Sequence, residues 1–146
     1  MDAMKAMVAT GPGRELEPVL RGVPEPSPSE LLIEVGACGV CRTDLHVVDG
    51  DIHADYPIIP GHEIIGRVSA IGGDVHGFAI GQRVGVPWLG FTCGTCDYCR
   101  SGRENLCDSP QFTGATRDGG YASRLVADAR YCFAIPNRFS DVTAAL

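Results

Sequence analysis

The chain contains no apolar run approaching twenty residues, so no segment reads as a membrane-spanning helix. No secretory leader is expected, since Met1 to Ala9 lacks a long apolar stretch and carries Asp2 and Lys5. It has no basic excess. Twelve Lys and Arg against 18 Asp and Glu leave a formal charge of −6, and no basic stripe is visible, which argues against a nucleic-acid partner. Internal repeats and long linkers are absent, and helical signal is scarce. No GxGxxG turn appears: Gly72-Gly73 follows an apolar strand pattern but leads into no helix, so no dinucleotide-binding βαβ unit is expected.

What is present is a globular composition, 45% apolar and 21% charged, in 146 residues, enough for one domain with a real core. Nineteen glycines and ten prolines fit many short strands and turns. Strands are expected at Lys5 to Ala9, Leu31 to Ala37, Gly61 to Ile71 and Gln82 to Val86. A late pair is expected at Gly120 to Val126 and Tyr131 to Ile135. Leu31-Leu32-Ile33-Glu34-Val35 is too apolar for strict alternation and reads as buried on both faces. One short turn of helix fits Cys41 to Val48. Ser140-Asp141 reads as the N-cap of a segment running over Val142 to Leu146. The fold class is therefore mainly β, a partly open barrel carrying two long loops.

Seven cysteines are many for this length, and four fall within fifteen residues: Cys93, Cys96, Cys99 and Cys107. Two consecutive CxxC steps and a fourth cysteine eight positions on can close a tetrahedral thiolate cage. Zinc–sulfur bonds of about 2.3 Å suit it, and a closed four-sulfur shell leaves no position for substrate. Such a metal staples a loop and does not catalyse. Two disulfides are the alternative. Without a leader the chain is expected in the cytoplasm, where thiols stay reduced and clustered cysteines read as metal ligands. An iron–sulfur cluster remains a third option, since spacing excludes neither metal.

A second constellation spans Gly39-Val-Cys41-Arg42-Thr43-Asp44-Leu-His46 and Pro60-Gly-His62-Glu63. Cys41 and His62 offer the mixed thiolate and imidazole set of a metal site that keeps one position open. Thr43 and His46, three apart, share one face of a helical turn, where a hydroxyl and an imidazole can pass a proton from a buried oxygen to water. Asp44 suits the non-ligating nitrogen of a metal-bound histidine. Arg42 offers a fork of donors for phosphate oxygens. Blander readings exist. Cys38 and Cys41 form a CxxC that could be a redox pair, though Cys38 follows an apolar strand and reads as a small buried hydrophobe. Cys132 reads as core, Trp88 as core packing or a pocket wall, and His53 and His76 as turn residues without a role.

Taken together these stretches resemble the medium-chain zinc-dependent alcohol dehydrogenases. The resemblance rests on Cys38-Gly-Val-Cys41-Arg-Thr-Asp-Leu-His46, Pro60-Gly-His62-Glu63-Ile-Ile-Gly66-Arg-Val, Gly81-Gln-Arg-Val-Gly85, the Cys93–Cys107 lobe and Asp118-Gly-Gly-Tyr121-Ala122, in that order. It is nearest to bacterial enzymes for short primary alcohols through Gly85-Val-Pro-Trp88-Leu-Gly90. It implies a GroES-like barrel over residues 1–146, the N-terminal portion of a catalytic domain, with its zinc lobe at about 91–109. It implies a catalytic zinc on Cys41 and His62, with Glu63 close behind or exchanging onto the metal and Asp44 supporting His62. Thr43 would meet the substrate oxygen, His46 would complete a proton relay, Arg42 would meet the pyrophosphate of NAD or NADP, and Trp88 would line a pocket for small alcohols. Cys93, Cys96, Cys99 and Cys107 would hold the structural zinc.

The family's third catalytic ligand, usually cysteine, comes from beyond the position of Leu146, and its cofactor domain has no counterpart in these residues. The expectation is that the chain alone is inactive, fills its catalytic zinc only partly, and self-associates through exposed apolar surface. Two other readings remain: a non-catalytic zinc-binding barrel that binds partners, and a sorbitol-, threonine- or cinnamyl-alcohol-type dehydrogenase.

Overall fold

A computed structural model of the chain describes residues 3–145. Leu146, the last residue of the expected terminal helix, lies outside them. The architecture is mainly β with few short helices. Its centre is an antiparallel sheet in the order β8-β3-β4-β5-β9, built from Arg124–Asp128, Glu30–Gly39, Glu63–Ile71, Arg83–Val86 and Phe133–Ala134. A hairpin of β1 (Ala3–Val8) and β2 (Glu17–Gly22) joins it through bridges at Ala6↔Ala122 and Ala9↔Ile58. A third, two-stranded ribbon of β6 (Leu89–Phe91) and β7 (Gln111–Phe112) forms the neck of the cysteine lobe. Among the described residues no helix is long and apolar enough to cross a membrane.

Strand β1 alternates cleanly, with Met4, Ala6 and Val8 inward and Lys5 outward, because side chains of a strand point to opposite faces in turn. β3 does not alternate at its start. Leu31, Leu32 and Ile33 are all buried, and the register shift between Leu32 and Ile33 interrupts the alternation there. Glu34 breaks the run and faces out. Leu31 and Ile33 pack with Ile64, Val68, Val84, Val86 and Leu125 in the main core. Each fully buried side chain there contributes about 1.5–3 kcal/mol. Register shifts after Leu32 and Val35 bend β3 as it approaches the loop that carries Cys41.

The expected late pair does not pair with itself. β8 bonds β3 and β9 bonds β5, at opposite edges of the sheet. The 3-10 turn Ala129–Tyr131 between them carries the chain across the sheet end, where the Ala129 N–H reaches the Ser29 carbonyl, instead of closing a hairpin. The first half of the expected Gly120 to Val126 strand is also different: residues 119–123 bond Ile59, Pro60, Gly61 and β1 before β8 begins. β2 was hidden by Pro18, which sits opposite Met7 in the hairpin, an edge setting that tolerates a residue without an N–H.

α1 (Arg42–Asp49) is fuller than one turn. Cys41 is its N-cap in extended conformation, and Gly50 ends it at φ 87°, a left-handed geometry that glycine adopts without penalty. α3 (Asp141–Ala144) begins at Ser140, whose hydroxyl accepts the Thr143 N–H, as expected for an N-cap. The Asp141 carboxylate pairs with buried Arg83 at 2.7 Å, tying this segment to β5.

Candidate metal centres

Between β6 and β7 the chain leaves the sheet and folds over itself through α2 (Asp97–Arg100) and a 3-10 turn at Glu104–Leu106. This brings the sulfurs of Cys93, Cys96, Cys99 and Cys107 within 4.8 Å of one another, and all seven cysteines are unpaired. The disulfide alternative is therefore not adopted. Backbone N–H groups already point at the sulfurs: Thr95 and Cys96 to Cys93 Sγ at 3.4 and 3.3 Å, Cys93 to Cys107 Sγ at 3.3 Å, and Ser109 to Cys107 Sγ at 3.4 Å. These donors favour thiolate. Contacts from Thr95, with the Cys96 N–H, bring the Cys93 thiol down to about 6. Cys99 is pushed up to about 11, by desolvation first. Four thiols drawn together with donors aimed at sulfur fit a structural zinc site.

The lobe is anchored from outside. Arg130 Nη2 donates to the Thr92 carbonyl at 3.0 Å, just ahead of Cys93, while Asp128 holds the same guanidinium at 2.7 Å. Tyr131 and Thr92 share a hydroxyl bond of 2.6 Å. Sequence reasoning missed all three anchors, because arginine, aspartate and tyrosine in a turn have no distinguishing pattern.

The second centre forms where β3 ends, α1 begins and β4 begins. Ligand atoms of Cys41, His62 and Glu63 lie within 4.8 Å of one another. Cys41 Sγ is 3.8 Å from Thr43 Oγ1. The backbone and hydroxyl of Thr43, then His62, lower the Cys41 thiol. Asp44, only 2% exposed, receives four hydrogen bonds. Oδ1 accepts from His62 Nδ1 at 2.9 Å and the Gly61 N–H at 3.2 Å; Oδ2 accepts from the Cys41 N–H at 2.9 Å and the Tyr121 hydroxyl at 3.0 Å. Burial alone would raise the Asp44 carboxyl, but these donors and the His62 charge outweigh it and the net shift is downward. His62 moves the other way: burial opposes its charge, yet Asp44 and Cys41 raise it overall. With Nδ1 engaged by Asp44, Nε2 is the nitrogen left for a metal.

Gly61 makes this convergence possible. Its φ is 98°, and a Cβ there would lie 2.6 Å from the Tyr121 ring and 2.8 Å from Cys38 Sγ. Cys38 itself is half-buried against the core and desolvation pushes it up to about 12, the state of an inert thiol. Cys132 is buried in the core.

Trp88 sits edge-on to His62, ring centroids 5.0 Å apart, and stacks on Phe112 at 5.0 Å. It is both core packing and a wall beside the centre. Thr43 and His46 share α1, but the hydrogen bonds of the described residues do not link them directly. His46 Nδ1 instead meets the Asp51 carboxylate at 2.8 Å, half-exposed. Arg42 is exposed in the first turn of α1. His53, exposed, faces Asp55 at 3.1 Å. Tyr121 is marked in the sequence only by its place in Asp118-Gly-Gly-Tyr121-Ala122; its bond to Asp44 crosses 77 positions of sequence, which no local pattern signals.

The chain resembles known proteins over nearly all its length. It is 50% identical, over 90% of its residues, to a protein named probable alcohol dehydrogenase AdhA from Mycobacterium tuberculosis, of which it covers 39%. It superimposes with a TM-score of 0.89 on a cobalt- and zinc-bound thermostable alcohol dehydrogenase from Pyrobaculum aerophilum. That match is 34% identical and covers 99% of this chain and 44% of the other. With a TM-score of 0.90 and 31% identity it matches the short chain alcohol dehydrogenase rspB of Escherichia coli CFT073, complexed with NADH, covering 99% of this chain and 42% of that one. The chain thus spans about 40% of the length of these relatives. Residues 27–137 match the model of the alcohol dehydrogenase GroES-like domain, and the chain belongs to that family.

Proposed function

We propose that residues 1–146 belong to the catalytic domain of a zinc-dependent alcohol dehydrogenase that interconverts short primary alcohols and aldehydes with NAD or NADP. The observation that carries this reading is the Cys41–His62–Glu63 cluster, with Asp44 on the far nitrogen of His62 and Trp88 beside the ring. The donor set fits zinc: one thiolate, one imidazole oriented by a carboxylate, and a carboxylate at hand. Zinc, when bound, supplies Lewis acidity toward an alcohol oxygen, and a nicotinamide dinucleotide supplies the hydride acceptor.

The chain's own residues do the rest. Asp44 fixes the His62 tautomer. Thr43, adjacent to Cys41, offers a hydroxyl to the alcohol oxygen and holds its proton. A water bridging Thr43 and His46, which share no direct bond, carries that proton to His46, half-exposed and oriented by Asp51, and from there it passes to solvent. Arg42, exposed on the first turn of α1, meets the dinucleotide pyrophosphate. Trp88 and Phe112 narrow the space next to His62 and favour small alcohols. The lobe at about 91–109 holds a second, purely structural zinc. The domain works in the cytoplasm, within a homo-oligomer, on small alcohols and aldehydes. Leu20, Ile80 and Val142 are exposed apolar side chains consistent with further protein contacts.

The test is zinc per chain after dialysis, in the parent and in Cys41→Ser. The lobe should hold one zinc in both, and a partly filled second zinc should vanish in the variant. Equal zinc in both overturns the role of Cys41. These residues by themselves should produce no NADH from ethanol, because they include no dinucleotide-binding unit; NADH production would overturn that part.

A further inference from the structure

We propose that Tyr121 is a positioning residue for the Cys41–His62 metal centre, acting through Asp44. The inference rests on the reading of that centre given above. Three of the four donors to Asp44 come from residues 41–62, the segment that forms the centre itself. The fourth, the Tyr121 hydroxyl, comes from a segment 77 positions further along the chain.

Tyr121 is itself tightly placed. Its N–H donates to the Pro60 carbonyl at 2.9 Å, and its own carbonyl accepts the Met7 N–H at 2.8 Å. The Gly120 N–H donates to the Gly61 carbonyl at 2.9 Å. The ring lies over Gly61, so closely that a Cβ at 61 would meet Cδ1 at 2.6 Å. Tyr121 is therefore stitched by backbone both to the segment ahead of His62 and to β1, and its hydroxyl reaches back to the carboxylate that orients His62.

The geometry separates the two carboxylate oxygens. Oδ1 serves His62 and Gly61, while Oδ2 serves Cys41 and Tyr121. Tyr121, together with the Cys41 N–H, thereby sets the rotation of the carboxylate plane, and with it the direction in which Oδ1 meets His62 Nδ1. A phenylalanine keeps the ring on Gly61 and removes only this constraint. Partners behind a metal ligand typically change metal affinity 10–100-fold, and Tyr121 stands one bond further back, so about tenfold is expected.

The experiment uses the full chain with the lobe site filled, and zinc alone as the probe, titrated against a competing chelator. Tyr121→Phe should weaken the second zinc about tenfold and leave the lobe zinc, counted by elemental analysis, unchanged. A merely structural role would lower both, or would weaken the second site equally whatever stands at position 44. The same substitution is therefore repeated in an Asp44→Ala background, where no polar group at position 44 remains for Tyr121 to hold and it should add little. An unchanged affinity in Tyr121→Phe, or an equal added loss in both backgrounds, overturns this inference alone. A second zinc that does not depend on Cys41 overturns it together with the reading of the centre.

Discussion

Replacing Asp44 by asparagine keeps the volume and removes one charge at the most densely bonded buried side chain of the site. The amide oxygen, placed where Oδ1 stands, can still accept from Gly61 and His62. The amide nitrogen then stands where Oδ2 accepts from Cys41 and Tyr121. The Tyr121 hydroxyl can rotate and accept from it; the Cys41 N–H cannot. One donor left unsatisfied costs about 1–3 kcal/mol, and two retained bonds that lose their charge assistance cost about 1 kcal/mol together. The sum is about 2–4 kcal/mol, against a total stability of about 5–15 kcal/mol for an ordinary domain. The opposite amide orientation is worse, since it presents N–H groups to Gly61 and His62. Urea unfolding of parent and variant, with the lobe zinc present in both, measures the difference; the midpoint should fall while the slope stays constant. A variant within about 0.5 kcal/mol of the parent, the range of surface substitutions, would refute the claim that Asp44 is held by four donors.

Three further outcomes follow from other parts of the molecule. Cys107→Ser opens the thiolate cage, so zinc should leave the lobe on dialysis and residues between Cys93 and Cys107 should become sensitive to proteolysis while the barrel core stays protected. Gly61→Ala meets both a positive φ and the Tyr121 ring and should lose about 2–4 kcal/mol in thermal or urea unfolding, with the second zinc weakened in parallel. The third concerns Glu30, which pairs with Arg117 at 2.6 Å. Burial works to raise its carboxyl, but the Ser27 contacts and Arg117 outweigh it and set it below the ordinary 4.5. A lowered folded pKa means stability that is present above pH 4.5 and lost as pH falls through the folded value. Glu30→Gln should therefore cost about 1–2 kcal/mol at neutral pH, and the gap between parent and variant should close in acid, read from unfolding midpoints across a pH series.

Fold class and most strands were legible because their signals are local. The alternation of β1, the apolar run opening β3 and the long β4 pattern each state burial directly. What escaped is where a strand finds its partner. Residues 119–123 first bond the Pro60 segment and β1, and only then continue as β8 on the far edge of the main sheet. A hydrophobic pattern records that a residue is inside, not against what. β6 and β7, three and two residues long, are too short to carry a period at all. Pro18 in β2 looks like a loop residue because its cost depends on edge placement, which is a tertiary fact.

The two metal centres show the same division more sharply. The lobe is written in one short stretch: turn-sized spacings bring its sulfurs together, and the N–H groups of the same turns stabilise thiolate. Its chemistry could be read before its shape was known. The second centre draws on three separate segments, and its ligands alone, a thiol and an imidazole, could equally be an inert core cysteine and a surface histidine. What makes them a centre is the buried carboxylate behind them. Burying that charge is costly unless donors surround it. Here those donors are supplied by Cys41, Gly61, His62 and Tyr121 together. The carboxylate thus reports that the segments have met in one arrangement: a shift of any of them would strand a charge in the interior. A candidate metal site with only three ligand groups gains its rigidity from that requirement.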